Sequence, residues 1–276
     1  MQRCLFLLLA LCVAGCGGGS LAQSTPAPIR AVPSASPITA AQKLRMEQLS
    51  SVFENGTIAF EYGYAQNIGD GRGITCGRVG FTTGTGDWYQ VVKAYTALKP
   101  GNVLAPYLPR LQQLASGPMP NPDTTGLDGM IGAVATAGSD PVMQQVQDSF
   151  VDSLIYSPAL QLAQSVGANS ALSVAALYDG VLTHGQGSDP DSIEAIIAAA
   201  TQAAGGTPKT GVSESTWLTA FIAARRQDML HPAYAPSAVP WAAAVGRLDV
   251  YAALIASNNW NLNGPIDTLG YGVTVP

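Results

Sequence analysis

The chain is poor in cysteine, histidine and charge. It has 276 residues, of which 11% are charged, two are histidines and four are cysteines. Three of those cysteines lie within the first 16 residues, and Cys76 is the fourth. One cysteine and two histidines cannot make a disulfide framework or a Cys/His metal site. We therefore expect no metal and no other cofactor, and we predict that Cys76 is a small strand residue.

Positive charge is scarce as well. Thirteen lysines and arginines stand against 18 acidic residues, which gives a formal net charge of −5. A nucleic-acid-binding domain would show a basic stripe, so this balance argues against that class. Mild acidity suits a cationic substrate, although it is equally typical of ordinary solubility. The hydrophobic content of 47% is enough for a substantial core.

A strongly apolar run lies near the N-terminus. Arg3 precedes a leucine-rich stretch over residues 5–11, which is too short to span a bilayer as a helix. The run ends in Val13-Ala14-Gly15-Cys16, which resembles a bacterial lipobox. We interpret residues 1–16 as a lipoprotein-type signal peptide and Cys16 as the lipidation site. The alternative is a plain secretory signal that is cut after Ala22.

A flexible tether is predicted over residues 17–36, which include three consecutive glycines and three prolines. The folded domain then covers residues 37–276. Together, tether and lipid predict an exported protein that is anchored to the bacterial outer membrane or cell surface and makes no other membrane contact. A soluble secreted or periplasmic protein is the alternative.

The sequence predicts both ends of the first helix of the domain. Thr39-x-x-Gln42 is a capping box. Glu54 lies at the carboxyl end, where the helix dipole disfavours an ionised carboxylate. The residues predicted to face the core are Leu44, Leu49, Val52 and Phe53.

A small sheet is predicted between Gly69 and Gly86, where glycines alternate with β-prone residues. A helix should follow from Trp88 to just before Lys99, and residues 117–128 should form a loop. The remainder is predicted to be mostly helical, with helices at 141–153, 158–165, 170–183, 191–204, 214–230 and 241–256.

Two charges fall on apolar helical stripes. Asp179 lies seven residues after Leu172, and Arg225 lies seven residues after Leu218. Buried charges are costly unless they are paired. We therefore predict that Asp179 and Arg225 meet inside the fold, with Arg247 as a candidate third member of a network that is chiefly structural.

Three carboxylates lie around the glycine-rich turn, namely Glu54, Asp70 and Asp87. Two carboxylates on separate elements can hydrolyse a glycosidic bond, with room for a water molecule between them. One of such a pair must be protonated while the other is ionised. The position of Glu54 at the carboxyl end of a helix favours its protonated form.

Several motifs occur in a fixed order. They are Glu54-Asn55, Gly69-Asp70-Gly71-Arg72-Gly73-x-Thr75, Gly84-Thr85-Gly86-Asp87, Tyr178-Asp179, His184-Gly185-x-Gly187, Ala224-Arg225 and Arg247-Leu248-Asp249. In combination they resemble the chitosanases of glycoside hydrolase family 46, from about residue 40 to residue 265.

This resemblance implies a fold and an activity. The fold would be similar to that of lysozymes: mainly α (α+β), with two lobes, a small β-sheet in the N-terminal lobe and a substrate cleft between the lobes. The activity would be endo-hydrolysis of β-1,4 bonds in chitosan with inversion of the anomeric centre. Glu54 matches the general acid, Asp70 the general base that activates water, and Thr75 the residue that helps to place that water.

The resemblance also implies binding residues and partners. Substrate-cleft positions are matched by Arg72, Tyr64, Asp87 and His184. Asp87 would meet a glucosamine ammonium, although a cap of the following helix is an equally natural interpretation. The family's internal ion network is matched by Asp179, Arg225 and Arg247. The expected partners are chitosan or glucosamine oligosaccharides, bound by a monomer.

Two other functions stay open. A non-catalytic surface lipoprotein would keep the fold and bind amino-sugar polymer, but it would not need Glu54, Asp70 and Thr75 together. A lysozyme-like muramidase would act on peptidoglycan, and Asp87 and the net acidity argue weakly against that anionic substrate.

Overall fold

The computed structural model describes residues 38–276. Its helices are α1 (Ala40–Asn55), α2 (Asp87–Leu98), α3 (Leu108–Ala115), α4 (Met130–Ala137), α5 (Pro141–Val151), α6 (Ser157–Val166), α7 (Ala171–His184), α8 (Ile193–Ala204), α9 (Glu214–Leu230), α10 (Ala238–Ala244) and α11 (Arg247–Ala256). Its strands are β1 (Ala65–Gln66), β2 (Thr75–Cys76), β3 (Phe81–Thr82), β4 (Ile266–Asp267) and β5 (Thr274–Val275). The prediction of a mainly helical fold with a small sheet is confirmed.

The described chain divides into two compact units. Unit 1 comprises Gln48–Gln161 and Asp267–Val275. Unit 2 comprises residues 38–47, Leu162–Ile266 and Pro276. A substrate cleft between two lobes stays a prediction.

The sheet of unit 1 is centred on β2. This strand pairs antiparallel with both β1 and β3, so that Thr75 lies opposite Gln66 on one side and Thr82 on the other. Cys76, the second residue of β2, is buried with a free thiol, and burial raises the pKa of that thiol well above its usual value. Its prediction as a strand residue is confirmed.

Helix α2 packs against this sheet through one apolar stripe. The stripe consists of Trp88, Val91, Val92 and Tyr95, which follow the i, i+3, i+4, i+7 spacing of a helix face and are all buried. The ring of Phe81 in β3 lies 6.3 Å from that of Trp88. This packing places the start of α2, at Asp87, next to the end of β3.

Unit 2 is built around α7, every residue of which is buried. A helix buried on all sides has to satisfy its polar side chains internally. Three such side chains lie near its carboxyl end, namely Asp179, Thr183 and His184. The inner face of α9 carries one charge as well, Arg225, among buried apolar residues.

The start of α1 follows the predicted capping box. The N–H of Gln42 donates to Thr39 Oγ1 at 3.2 Å, and Gln42 Oε1 accepts from the N–H of Thr39 at 2.8 Å. The predicted apolar face was wrong for Leu44, which is 46% exposed, whereas Met46 is fully buried. Leu44 lies five residues before Leu49, which turns it about 140° away from that residue around the helix.

Other helix boundaries differ from the prediction. The single helix expected over 241–256 is broken into α10 and α11, with a bend of 49° at Val245 and Gly246. The helix expected over 141–153 ends at Val151, and a π-helical stretch (Asp152–Tyr156) leads into α6. Among residues 38–276, no single helix has the length and hydropathy to cross a membrane; the bent pair of α10 and α11 meets the test by length and composition.

Candidate active site

Glu54 is placed by α1. It is the penultimate residue of this helix in unit 1, as predicted, and it is partly buried. The preceding Phe53 packs its ring 5.1 Å from that of Tyr271. The end of α1 is therefore anchored by an aromatic contact, and Glu54 follows directly after the anchored residue.

Asp70 lies in a turn that carries its own counter-ion. Asp70 Oδ1 accepts the backbone N–H of Arg72 at 3.0 Å, while Oδ2 accepts Nε at 2.8 Å and Nη2 at 2.6 Å of the same arginine. The turn needs left-handed backbone at Gly69, Gly71 and Gly73, with φ of 76°, 84° and 76°. Alternating glycines thus let the chain fold a carboxylate back onto an arginine two residues away.

Thr75 is held in the central strand β2 and has no exposed area. Its backbone pairs with both neighbouring strands. In the described part of the chain, no group hydrogen-bonds to its Oγ1. A buried hydroxyl of this kind usually has a partner, so Thr75 has hydrogen-bonding capacity left for a water molecule.

Asp87 is the first residue of α2, which has Gly86 at its N-cap position. Its Oδ1 accepts the N–H of Trp88 and of Thr82, both at 2.7 Å, and the hydroxyl of Thr85 at 2.9 Å. Burial raises the pKa of Asp87, and these three hydrogen bonds and the charge of Arg72 oppose that shift. All three bonds end on Oδ1. The N-cap position predicted for Asp87 is thus occupied by Gly86, while the Asp87 carboxylate binds an N–H of the first turn through Oδ1 and leaves Oδ2 for another partner.

Tyr64 immediately precedes β1 and is partly exposed. Its hydroxyl donates to Gln66 Oε1 at 3.1 Å, and partial burial raises its pKa. Five of the candidate residues lie in one stretch of unit 1 that runs from just before β1 to the start of α2: Tyr64, Asp70, Arg72, Thr75 and Asp87. Glu54 lies in the same unit, near the end of α1.

A second cluster lies in unit 2 and is fully buried. Asp179 Oδ2 lies 3.0 Å from Arg225 Nη2, and its Oδ1 lies 3.1 Å from Arg247 Nη1. Arg247 Nη1 also donates to Thr183 Oγ1 at 2.9 Å. The structure thus brings together Asp179 and Arg225, whose spacing predicted burial, with Arg247, the candidate third member, and one carboxylate contacts two arginines.

His184 belongs to this buried cluster. Its Nε2 accepts from Arg225 Nε at 3.4 Å, its Nδ1 lies 3.2 Å from Asp228 Oδ2, and its ring meets that of Trp241 edge to face at 4.8 Å. The side chain has no exposed area, and burial together with both arginines lowers its pKa well below the usual value. Direct contact of His184 with substrate stays a prediction, and this placement does not favour it.

Residues 38–276 contain no cluster of three or more histidine, cysteine or acidic side chains arranged to hold a metal ion.

Comparison with protein families gives a match over residues 48–266 to the family described as glycosyl hydrolase family 46. This segment covers most of the chain and includes every candidate residue from Glu54 to Arg247. The chain belongs to this family.

Individual relatives resemble the chain over most of its length. A chitosanase of Bacillus subtilis (strain 168) is 44% identical over 225 residues, which are 82% of this chain and 80% of the relative. A chitosanase of Streptomyces sp. (strain N174) is 36% identical over 238 residues, or 84% of this chain and 80% of the relative.

Solved structures agree with this assignment to family 46. The native chitosanase from Bacillus subtilis MY002 superposes with a TM-score of 0.79 at 41% identity and covers 87% of this chain and 100% of its own. A mutant of the same enzyme was solved in complex with six GlcN units, and it gives the same TM-score, identity and coverage. The family 46 chitosanase of Gynuella sunshinyii, in complex with chitotetraose, also reaches 0.79 at 41% identity, with 87% and 99% coverage.

Sequence reasoning missed two carboxylates in this family 46 chain. Asp191 accepts the backbone N–H of Ala233 and Tyr234, both at 2.7 Å, and Asp228 lies against His184. Burial, followed by the charge of Asp191, raises the pKa of Asp228 to about 7. The available signal was the i, i+3 spacing of Arg225 and Asp228, which puts both on one side of α9.

Proposed function

We propose that the chain hydrolyses β-1,4 bonds within chitosan, with inversion at the anomeric carbon. The relatives that cover most of the chain are chitosanases, and two of the similar solved structures hold glucosamine oligomers or chitotetraose. The observation that carries the proposal is the Asp70–Arg72 turn, because it presents a carboxylate on an element separate from Glu54 in the same unit.

In the proposed mechanism, Glu54 is the general acid and Asp70 the general base. Glu54 protonates the glycosidic oxygen of the leaving sugar, while Asp70 takes a proton from the attacking water on the opposite face of the ring. The charge-assisted bonds from Arg72 suit an ionised Asp70. The unused Oγ1 of Thr75 then orients the water toward the anomeric carbon.

We assign substrate binding to Arg72, Tyr64 and Asp87. Chitosan is cationic, so its ammonium groups need carboxylates. Asp87 meets this need through Oδ2, since its Oδ1 is committed to the start of α2. Tyr64 offers a partly exposed aromatic face and a hydroxyl to the sugar.

The proposed function is tested by hydrolysis of a glucosamine hexamer, with the product anomers followed by NMR. Wild type should give α-anomers first. Glu54→Gln should lower kcat by at least about a hundredfold, because the amide cannot donate the proton that the leaving group needs. The control is Glu61→Gln, which changes an exposed glutamate of the same unit and should behave like wild type. No cleavage by folded wild type would favour a polymer-binding protein instead, and β-anomers would contradict the inverting mechanism.

We further propose that Cys16 carries lipid and anchors the enzyme to the outer membrane or cell surface. Cys16, the signal peptide and the tether lie outside the described residues, and the proposal rests on the lipobox sequence alone. Mass spectrometry of the membrane fraction should find a lipid-modified N-terminus at Cys16. An unmodified N-terminus at Gln23 would contradict it.

A further inference from the structure

The spacing of the proposed base and the proposed water-placing residue depends on the backbone of residues 71–74. Asp70 is anchored through Arg72, and Thr75 is anchored by strand pairing. If the segment between them shifted, the carboxylate and the hydroxyl would no longer converge on one water molecule. What holds residues 71–74 therefore matters for the reaction.

Thr83 holds this segment with both its backbone and its side chain. Its N–H donates to the carbonyl of Ile74 at 3.0 Å, and its Oγ1 accepts the N–H of Ile74 at 3.0 Å. In the described chain, it is the one residue outside 70–76 whose side chain hydrogen-bonds to the backbone of residues 71–74. One residue further on, the N–H of Gly84 donates to the carbonyl of Arg72 at 2.9 Å.

The Thr83 hydroxyl also fits closely against the turn. A Cβ built on Gly73 would lie 2.3 Å from Thr83 Oγ1, which no real contact allows. Gly73 is therefore doubly constrained, by its φ of 76° and by the threonine. Thr83 itself has no exposed area and cannot touch a substrate.

We propose that Thr83 is a positioning residue for the hydrolysis: by fixing Ile74, it sets the distance between Asp70 and Thr75. This inference rests on the proposed function. Thr83 does not touch the substrate, yet in this proposal it helps to fix the position of the attacking water. Strand pairing alone does not hold residues 71–74 in place.

The test compares kcat and KM of Thr83→Val, Thr83→Ala and Thr83→Ser on the glucosamine hexamer. Valine keeps the shape of threonine but cannot accept the N–H of Ile74, whereas serine can. Valine and alanine should lower kcat by about tenfold to a hundredfold with KM within about twofold, because small displacements of reacting groups cost that much. Serine should restore kcat to within about threefold.

Thr96→Val is the matched control. Thr96 in α2 accepts the side-chain N–H of Asn102 at 3.0 Å, so the same substitution removes a hydrogen bond of the same length in the same unit. Its kcat should equal that of wild type. Thermal melts of all variants identify any that do not fold, and amide exchange at Ile74 should speed up in Thr83→Val and Thr83→Ala.

Two results would contradict the role of Thr83 but leave the proposed function intact. One is a wild-type kcat in folded Thr83→Val or Thr83→Ala. The other is a decrease of kcat in Thr83→Ser as large as that in Thr83→Val. If valine and alanine both prevent folding, the serine variant decides, since the inference requires it to be active. A folded but inactive wild type would overturn the proposed function, and this inference with it.

Discussion

Each unit pairs aspartate with arginine, but the two pairings are built differently. Asp70 meets an arginine two residues away, and its side chain stays 26% exposed. Asp179 meets two arginines that are 46 and 68 residues away, and it is fully buried. Local pairing leaves a carboxylate open to water and substrate, whereas pairing across three helices removes it from both.

The difference bears on what each pair does. In the Asp70–Arg72 pair the arginine is buried but the carboxylate still touches solvent, which screens the interaction, so we expect its loss to cost less than the loss of a fully buried pair. A buried pair is strongly destabilised when one partner is lost, because the other charge stays behind without compensation. The Asp70 pair should therefore dominate activity, and the Asp179 cluster should dominate stability.

The largest expected effect is that of Asp179→Ala. It should lower the free energy of unfolding by about 3–5 kcal/mol, because Arg225 and Arg247 would remain buried without their carboxylate. Urea unfolding followed by circular dichroism measures this. The control, Asp249→Ala, removes an ion pair of 2.6 Å to Arg226 at the surface of the same unit. This substitution should lower the free energy of unfolding by less than about 1 kcal/mol. Equal decreases in both variants would contradict the difference between the buried cluster and a surface ion pair.

A smaller effect, dependent on pH, is expected from Asp228. Its pKa of about 7 in the folded chain is above the usual 3.8, so the folded state holds a proton that the unfolded state has lost between these values. The free energy of unfolding should therefore fall as pH rises from about 4 to about 7, by roughly 2 kcal/mol after allowance for solvent contact.

Asp228→Asn should flatten that dependence, because an amide does not titrate. Urea midpoints at pH 5 and pH 8 give the measurement: the variant should be more stable than wild type at pH 8. Asp249→Asn, in the same unit, should keep the wild-type slope. An unchanged slope in Asp228→Asn would show that other groups control stability in this range.

The smallest effect concerns Arg72→Lys. Lysine keeps the positive charge but loses the fork that places two donors on Asp70 Oδ2. We expect kcat/KM to fall about tenfold, because one charge-assisted hydrogen bond contributes about 1.5 kcal/mol. The free energy of unfolding should change by less than about 1 kcal/mol. Arg110→Lys, which alters an exposed pair with Asp123 in the same unit, should leave kcat/KM unchanged. A loss of stability as large as that of Asp179→Ala would make the two pairs equivalent.

Local chemistry made several features predictable. The capping box at Thr39 marked the start of α1, and the helical stripe through Leu218 turned Arg225 inward. The β-prone residues between Gly69 and Gly86 indicated the small sheet of unit 1. In each case a short-range rule, namely hydrogen bonding, periodicity or strand propensity, was sufficient.

Two other features were not predicted from the sequence. The bend at Val245 and Gly246 lies five residues after Pro240, and the apolar pattern continues through it. Asp228 looked like an ordinary surface residue of α9, because its neighbours His184 and Asp191 come from other segments of the chain. Periodicity identifies an inward face, and it indicated a partner only where opposite charges fell on two such faces, as for Asp179 and Arg225.

The Asp70–Arg72 pair has a mechanical consequence. Both partners belong to one turn, so a breathing motion of the turn carries the counter-ion along with the base. The positive charge of Arg72 therefore stays beside Asp70 during such a motion, while the contacts of Thr83 and Gly84 set the shape of the turn. The Asp179 cluster, in contrast, exists only where three helices are already in register.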